Sequence, residues 1–190
     1  MMFNLPNSLT LFRIAIIPPL VGLFYIQEAW AIWSALALYI LAAISDYFDG
    51  YFARTMNQMS AFGRFLDPIA DKLFVAATLV MLAGFNRIDG FWLVPAIAIM
   101  MREILIAGLR EFLGPHKIIL PVSKLAKWKT TSQMIAIGFL IVGPYGEVIL
   151  PYTLEIGQWG LLIASILTLI TGWDYMKTGI EVIRQMDTKP

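Results

Sequence analysis

Six long apolar stretches alternate with short polar segments along the 190-residue chain. A helix that crosses a bilayer needs about 20 mostly apolar residues. The stretches run over roughly 7–26, 30–53, 63–84, 91–112, 126–144 and 154–178. Between them lie segments with Pro, Gly, Asn or charge, such as GFNRIDG and VGPYGEVILPYT, which read as turns. Short connections make consecutive helices antiparallel neighbours. The predicted fold is an all-α integral membrane protein, one domain over 1–190 built as a six-helix transmembrane bundle. No internal repeat or low-complexity region interrupts it.

Composition supports this reading. Apolar residues make up 59% of the chain and charged residues 14%, against about 45–50% and about 25% in soluble proteins. A water-soluble domain of this composition would leave a large apolar surface uncovered, so the bilayer is the expected solvent. The first stretch lacks a basic leader and a small-x-small cleavage site, so it reads as a retained span.

Charge distribution then orients the bundle. With the N-terminus in the cytoplasm, the outer loops near 27–30, 85–90 and 145–153 hold only Arg87 of the fourteen Lys and Arg. The positive-inside rule places both termini in the cytoplasm. No long basic run exists, so nucleic-acid binding is unsupported. The absence of cysteine removes thiolate sites, and a single histidine, His116, rules out multi-histidine metal sites. His116 reads as a solvated loop residue. Trp92, Trp128, Trp159, Trp173 and Tyr175 read as an aromatic belt. Asp174 and Lys177 read as a local i,i+3 pair.

Four aspartates gather on the cytoplasmic side. The second stretch ends in SDYFDGYFAR, and the third carries GRFLDPIADK near its start. Asp46 and Asp49 are three apart, and Asp67 and Asp71 four apart, so each pair shares a helix face. The hairpin between them turns the two faces toward each other. Carboxylates at membrane depth are costly, about 2.5–3.5 kcal/mol each even on lenient scales, and default to a functional reading. Two divalent cations would neutralise four of them, and an all-oxygen donor set favours Mg²⁺ or Mn²⁺. Hard ions beside basic residues suggest phosphate chemistry and an active site at the cytoplasmic face. Gly50 and Gly63 leave room for a ligand or for close helix packing.

The pattern D-x-x-D-G-x-x-A-R, eight residues, then G-x-x-x-D-x-x-x-D resembles the signature of the CDP-alcohol phosphotransferases at all its fixed positions. The resemblance implies that Asp46, Asp49 and Asp67 bind metal, and that Asp71 is both ligand and general base. It places nucleotide and CDP-lipid contacts on Gly50, Ala53, Arg54, Ser60 and Gly63, with Thr10 and Arg13 at the same end. It also implies a homodimer and a multi-pass location in the bacterial inner membrane.

A second group of residues bears on the acceptor. Arg102 and Arg110 lie eight apart on the fourth stretch, so they share a face to within about 80°. SKLAKWKTTSQ opens the fifth stretch with Lys124, Lys127 and Lys129. This basic surplus suits an acceptor that carries its own phosphate. NLPNSLTLFR, REI with Arg110, and KWKTTSQ resemble the branch of the family that uses sn-glycerol 3-phosphate. That resemblance implies transfer from CDP-diacylglycerol with release of CMP, and places Arg102, Arg110, Lys127 and Lys129 near the acceptor phosphate. The N-terminal pattern also resembles CMP-releasing cardiolipin synthases. A cation or proton transporter is the reading from another class, but it predicts inverted repeats and mid-span breaks that the sequence lacks.

Overall fold

The computed structural model describes residues 5–55, 61–114 and 124–187; the side chains of 5, 6, 47, 49–55, 61, 64, 124–127 and 187 lie outside that description. His116, Lys117 and Ser60 therefore fall outside it altogether. The described residues form seven α-helices and no strand: α1 Leu5–Ala15, α2 Ile17–Phe24, α3 Ala29–Thr55, α4 Ala61–Gly84, α5 Leu93–Leu113, α6 Lys124–Val142 and α7 Thr153–Asp187. Short 3-10 turns at Gly90–Trp92 and Gly143–Gly146 precede α5 and follow α6.

The seventh helix comes from a division of the first apolar stretch. Pro18 and Pro19 sit at the start of α2 and cannot donate to carbonyls of the preceding turn. The break is confined to Ile16, whose amide still bonds to the Phe12 carbonyl at 2.9 Å. Four segments are long and apolar enough to cross a membrane: Asn7–Phe24, Ala29–Asp46, Gly90–Leu113 and Thr153–Met186. α4 carries Asp67, Asp71 and Lys72, and the first half of α6 carries three lysines followed by Thr130, Thr131, Ser132 and Gln133. These polar residues dilute two otherwise apolar helices, and Asp71, Lys72, Lys129, Thr130 and Gln133 among them line one cavity. α7 runs nine residues past its expected end at 178, and its extension packs Val182, Ile183 and Met186 around Ile106, Leu113 and Tyr175.

Helix contacts close into a ring. The α1–α2 pair packs on α3 and α4, α3 on α6, α6 on α7, α7 on α5, and α5 on α4. The main core fills this ring with Leu20, Phe24, Ile32, Leu82, Ile99 and Leu140. Outward-facing positions are apolar too, including Ile40, Val80, Ile104, Trp159 and Ile163, as expected of helices solvated by lipid. At the α6–α7 seam, a Cβ on Gly157 would stand 2.9 Å from the Leu140 backbone nitrogen. Only a glycine permits that approach, the usual device for helices that meet in a membrane.

The end of the bundle far from the aspartates has its own anchor. Arg87 is buried in the α4–α5 loop, with its guanidinium 5.5 Å from the ring centre of Tyr145. Burial lowers the pKa of Arg87, while Tyr145 opposes that shift. Gln158 of α7 donates to the Arg87 carbonyl at 3.2 Å, and Tyr145 donates to the Gln27 carbonyl at 2.5 Å. The loop is thereby tied to α7 and to Tyr145, which in turn holds Gln27.

Candidate active site

The acidic side of the site is organised by α1. Thr10 and Arg13 are one turn apart on that helix, and both are buried against α3 and α4. Thr10 Oγ1 donates to Asp67 Oδ1 at 2.6 Å. Arg13 Nη1 pairs with Asp46 Oδ1 at 2.8 Å, and the same nitrogen pairs with Asp71 Oδ1. A buried guanidinium needs such partners, because an unpaired charge away from water is strongly disfavoured. Ser45 adds a 3.4 Å bond to the Leu9 carbonyl, which fastens α1 to α3 beside Asp46.

Asp46, Asp67 and Asp71 therefore meet α1. Asp67 and Asp71 stand one turn apart on α4, separated by Pro68, which removes one internal hydrogen bond from that helix. Asp46 comes from α3. The carboxylates of Asp46 and Asp71 are about half exposed, at 46% and 54%. Asp49, Gly50, Ala53 and Arg54 ride the last turns of α3, but their side chains lie outside the described residues. Gly63 is buried near the start of α4. Among the described residues no three acidic groups gather into a metal-holding set. Arg13 stands between Asp46 and Asp71. Thr10 and Arg13, expected at the nucleotide end, are engaged directly with the aspartates.

The basic side comes from α5, α6 and α7. Arg102 is buried; Nη1 donates to Glu103 Oε1 at 3.3 Å and Nη2 to Thr171 Oγ1 at 3.4 Å. Its guanidinium carbon lies 5.7 Å from the centre of the Tyr175 ring, and that of Arg110 lies 5.2 Å from the same centre. One aromatic ring thus carries both arginines at cation–π range. Lys129, buried on α6, pairs with the same Glu103 oxygen that Arg102 contacts. A Cβ on Gly172 would stand 2.8 Å from Arg102 Cγ, so α7 leaves room for this side chain by having none of its own there. The side chain of Lys127 is outside the described residues.

These two walls share one cavity of about 590 Å³. Arg13, Asp46 and Asp71 line it from α1, α3 and α4, and Arg102, Arg110 and Lys129 from α5 and α6. Its volume is in the range of small-molecule sites. Glu103, Gln133 and Tyr175 also line it. Sequence reasoning assigned no role to Glu103, Gln133 or Thr171 and misplaced Tyr175. Tyr175 is 5% exposed and lies inside the site, whereas Trp128, Trp159 and Trp173 do face outward. A buried ring at this position is explained by the arginines it supports. Among the described residues no ion pair joins Asp174 and Lys177; at this helix end, Thr178 donates to the Asp174 carbonyl at 3.0 Å. For Gln133, the available signal was its position four residues after Lys129, on the same helix face.

An acid cluster opposite a basic wall, enclosed by apolar helices, defines a membrane-embedded enzyme that handles charged phosphate groups. The chain belongs to the CDP-alcohol phosphatidyltransferase family, whose sequence profile matches residues 3–170. It is 46% identical over 176 residues to a Rickettsia typhi protein named CDP-diacylglycerol–glycerol-3-phosphate 3-phosphatidyltransferase, covering 93% of this chain and 97% of the relative. A Cereibacter sphaeroides protein of the same name is 37% identical over 218 residues, covering 97% and 99%. A third, from Salmonella choleraesuis, is 42% identical over 147 residues, covering 76% and 80%.

Proposed function

We propose that the chain transfers the phosphatidyl group of CDP-diacylglycerol to sn-glycerol 3-phosphate, giving phosphatidylglycerophosphate and CMP in phospholipid biosynthesis. The observation that carries this reading is the single cavity with Asp46 and Asp71 on one wall and Arg102, Arg110 and Lys129 on the other. The donor's pyrophosphate belongs at the acidic wall with metal, and the acceptor's phosphate belongs at the basic wall. The shared name of the relatives supports the same acceptor.

The donor atoms at the acidic wall fit hard cations. They are carboxylate oxygens, the chain has no cysteine, and a cation already lies between Asp46 and Asp71 in the form of Arg13. Asp46, Asp49, Asp67 and Asp71 would hold two divalent ions, Mg²⁺ or Mn²⁺. Bound there, such ions neutralise the pyrophosphate and stabilise the CMP leaving group.

The chain's own residues do the rest. Asp71 takes the proton of the acceptor hydroxyl. The oxygen then bonds to the β-phosphorus as the bond from that phosphorus to the CMP oxygen breaks. Arg13 and Thr10 fix the rotamers of Asp46, Asp71 and Asp67, so the base is in place before the acceptor arrives. Arg102, Arg110, Lys127 and Lys129 bind the acceptor phosphate, and Glu103 sets the positions of Arg102 and Lys129. Gly50, Ala53, Arg54, Ser60 and Gly63 contact the nucleotide. Six passages, the first one broken at Ile16, put both termini and the site at the cytoplasmic face of the bacterial inner membrane, in a homodimer.

The test is direct. Purified protein in lipid vesicles should convert radiolabelled glycerol 3-phosphate and CDP-diacylglycerol into labelled lipid only when Mg²⁺ or Mn²⁺ is present. Asp71→Asn should abolish turnover while CDP-diacylglycerol still binds. Transfer to phosphatidylglycerol in place of glycerol 3-phosphate would sink the acceptor assignment.

A further inference from the structure

Gln133 is buried in the site with its side-chain oxygen unsatisfied among the described residues. It is 5% exposed, its Oε1 has no hydrogen-bond partner among the described residues, and it lines the cavity with Asp71, Arg102 and Lys129. Buried side-chain amides are almost always satisfied, so an orphaned one beside a cavity calls for a ligand. Whichever way the amide is turned, it offers one acceptor and two donor hydrogens.

Its position narrows what that ligand group is. Gln133 follows Lys129 by one turn on α6, about 6 Å further from the helix start. An acceptor whose phosphate meets Lys129 and Arg102 has room to lay its carbon chain alongside Gln133, which lines the same cavity. Glycerol 3-phosphate has two hydroxyls. One attacks phosphorus, and the other takes no part in the reaction. Of the charged groups nearby, Arg13 holds Asp46 and Asp71, and Glu103 holds Lys129. Two uncharged groups that line this cavity lack a hydrogen-bond partner among the described residues, Gln133 Oε1 and Tyr175 Oη. The Tyr175 ring carries Arg102 and Arg110, whereas the Gln133 amide, one turn from Lys129, is placed to recognise a neutral hydroxyl.

We propose that Gln133 is the specificity-determining residue for the acceptor, through a hydrogen bond to the hydroxyl that does not react. The assignment rests on the acceptor reading given above. It explains how the site distinguishes a phosphorylated triol from other phosphorylated alcohols, which the basic wall alone does not do. A site built to bond a hydroxyl rejects the analogue lacking it, because its own polar group is then left unpaired.

The test compares glycerol 3-phosphate with 3-hydroxypropyl phosphate, which lacks only the second hydroxyl, in vesicle-reconstituted protein. The wild type should favour glycerol 3-phosphate by about 10- to 100-fold in kcat/KM. Gln133→Met keeps the shape and removes the amide. It should bring that preference close to one, by loss on glycerol 3-phosphate, with the KM for CDP-diacylglycerol unchanged. Gln133→Asn keeps the amide on a shorter stem and should retain part of the preference, which covers the case in which the Met variant fails to fold. A wild type that treats both acceptors alike overturns the proposal. So does a Met variant that keeps the full preference, or one that loses both acceptors equally and binds the donor poorly. If the wild type uses neither acceptor, the acceptor reading fails and this assignment falls with it; if it uses both, only the assignment is in question.

Discussion

Nη1 of Arg13 lies 2.8 Å from Oδ1 of Asp46, and the same nitrogen reaches Asp71 on a different helix. A single buried cation therefore draws together two carboxylates that belong to the family signature. Divalent ions that use these oxygens must compete with the guanidinium for them. Arg13→Gln should therefore halve or further reduce the Mg²⁺ concentration needed for half-maximal activity. The maximal rate should fall about 100-fold or more, since Asp71 loses its positioning partner. Magnesium titration of the activity checks both. A higher Mg²⁺ requirement in the variant would falsify the idea that Arg13 and metal share these ligands.

Glu103 has two opposed effects. It anchors Lys129 and Arg102, yet its negative charge stands in a pocket assigned to a phosphate dianion. Anchoring should win, because a guanidinium or ammonium displaced by even 1 Å forfeits much of its contribution. Glu103→Ala should raise the KM for glycerol 3-phosphate about tenfold and leave that for CDP-diacylglycerol close to normal. Glu103→Gln retains an acceptor oxygen and should lie between. A lower KM in both variants would mean that repulsion dominates.

Much of this site was legible in the sequence, for a physical reason. Asp46, Asp49, Asp67 and Asp71 are spaced by helical periodicity, and carboxylates in apolar stretches stand out. The same periodicity located the helices to within a few residues, apart from the division of the first stretch at Ile16 and the nine-residue extension of α7. Two kinds of feature were silent. Glu103 meets Lys129 across 26 residues of sequence, and no local pattern announces a pair between helices. Tyr175 looked like a belt aromatic, because sequence position near a span end does not say which way a ring points. The break at Ile16 falls in the middle of the first stretch, where no mid-span break was expected; Pro18 and Pro19 mark it, but hydropathy passes over it smoothly.

Gly172 tests the fit between α7 and the basic wall. A methyl group there would stand 2.8 Å from Arg102 Cγ and 3.3 Å from Nε. Cγ is close to the backbone and has little freedom to retreat, so the guanidinium must swing. Gly172→Ala should lower kcat/KM for glycerol 3-phosphate about 10- to 100-fold. The thermal midpoint should change little, because alanine favours a helix more than glycine does and offsets part of the strain. An unchanged kcat/KM would show that Arg102 does not need this geometry.

Gly143 lies at the opposite end of the bundle and should report on stability alone. Its φ is +49°, in the left-handed region, and an added Cβ would meet Arg87 Nη1 at 2.8 Å. Backbone strain of this kind costs about 1–3 kcal/mol for a residue with a side chain. The overlap adds to it, because Arg87 is buried and held at its carbonyl by Gln158 and at its guanidinium by Tyr145. Gly143→Ala should therefore lower the thermal midpoint of the detergent-solubilised protein. Activity per folded molecule should stay at the wild-type level, since neither Arg87 nor Gly143 lines the catalytic cavity. Unfolding curves and active-fraction measurements on the same sample separate the two effects. A large loss of turnover with an unchanged midpoint would mean that this distal loop is coupled to the site, contrary to its place in the ring of helices.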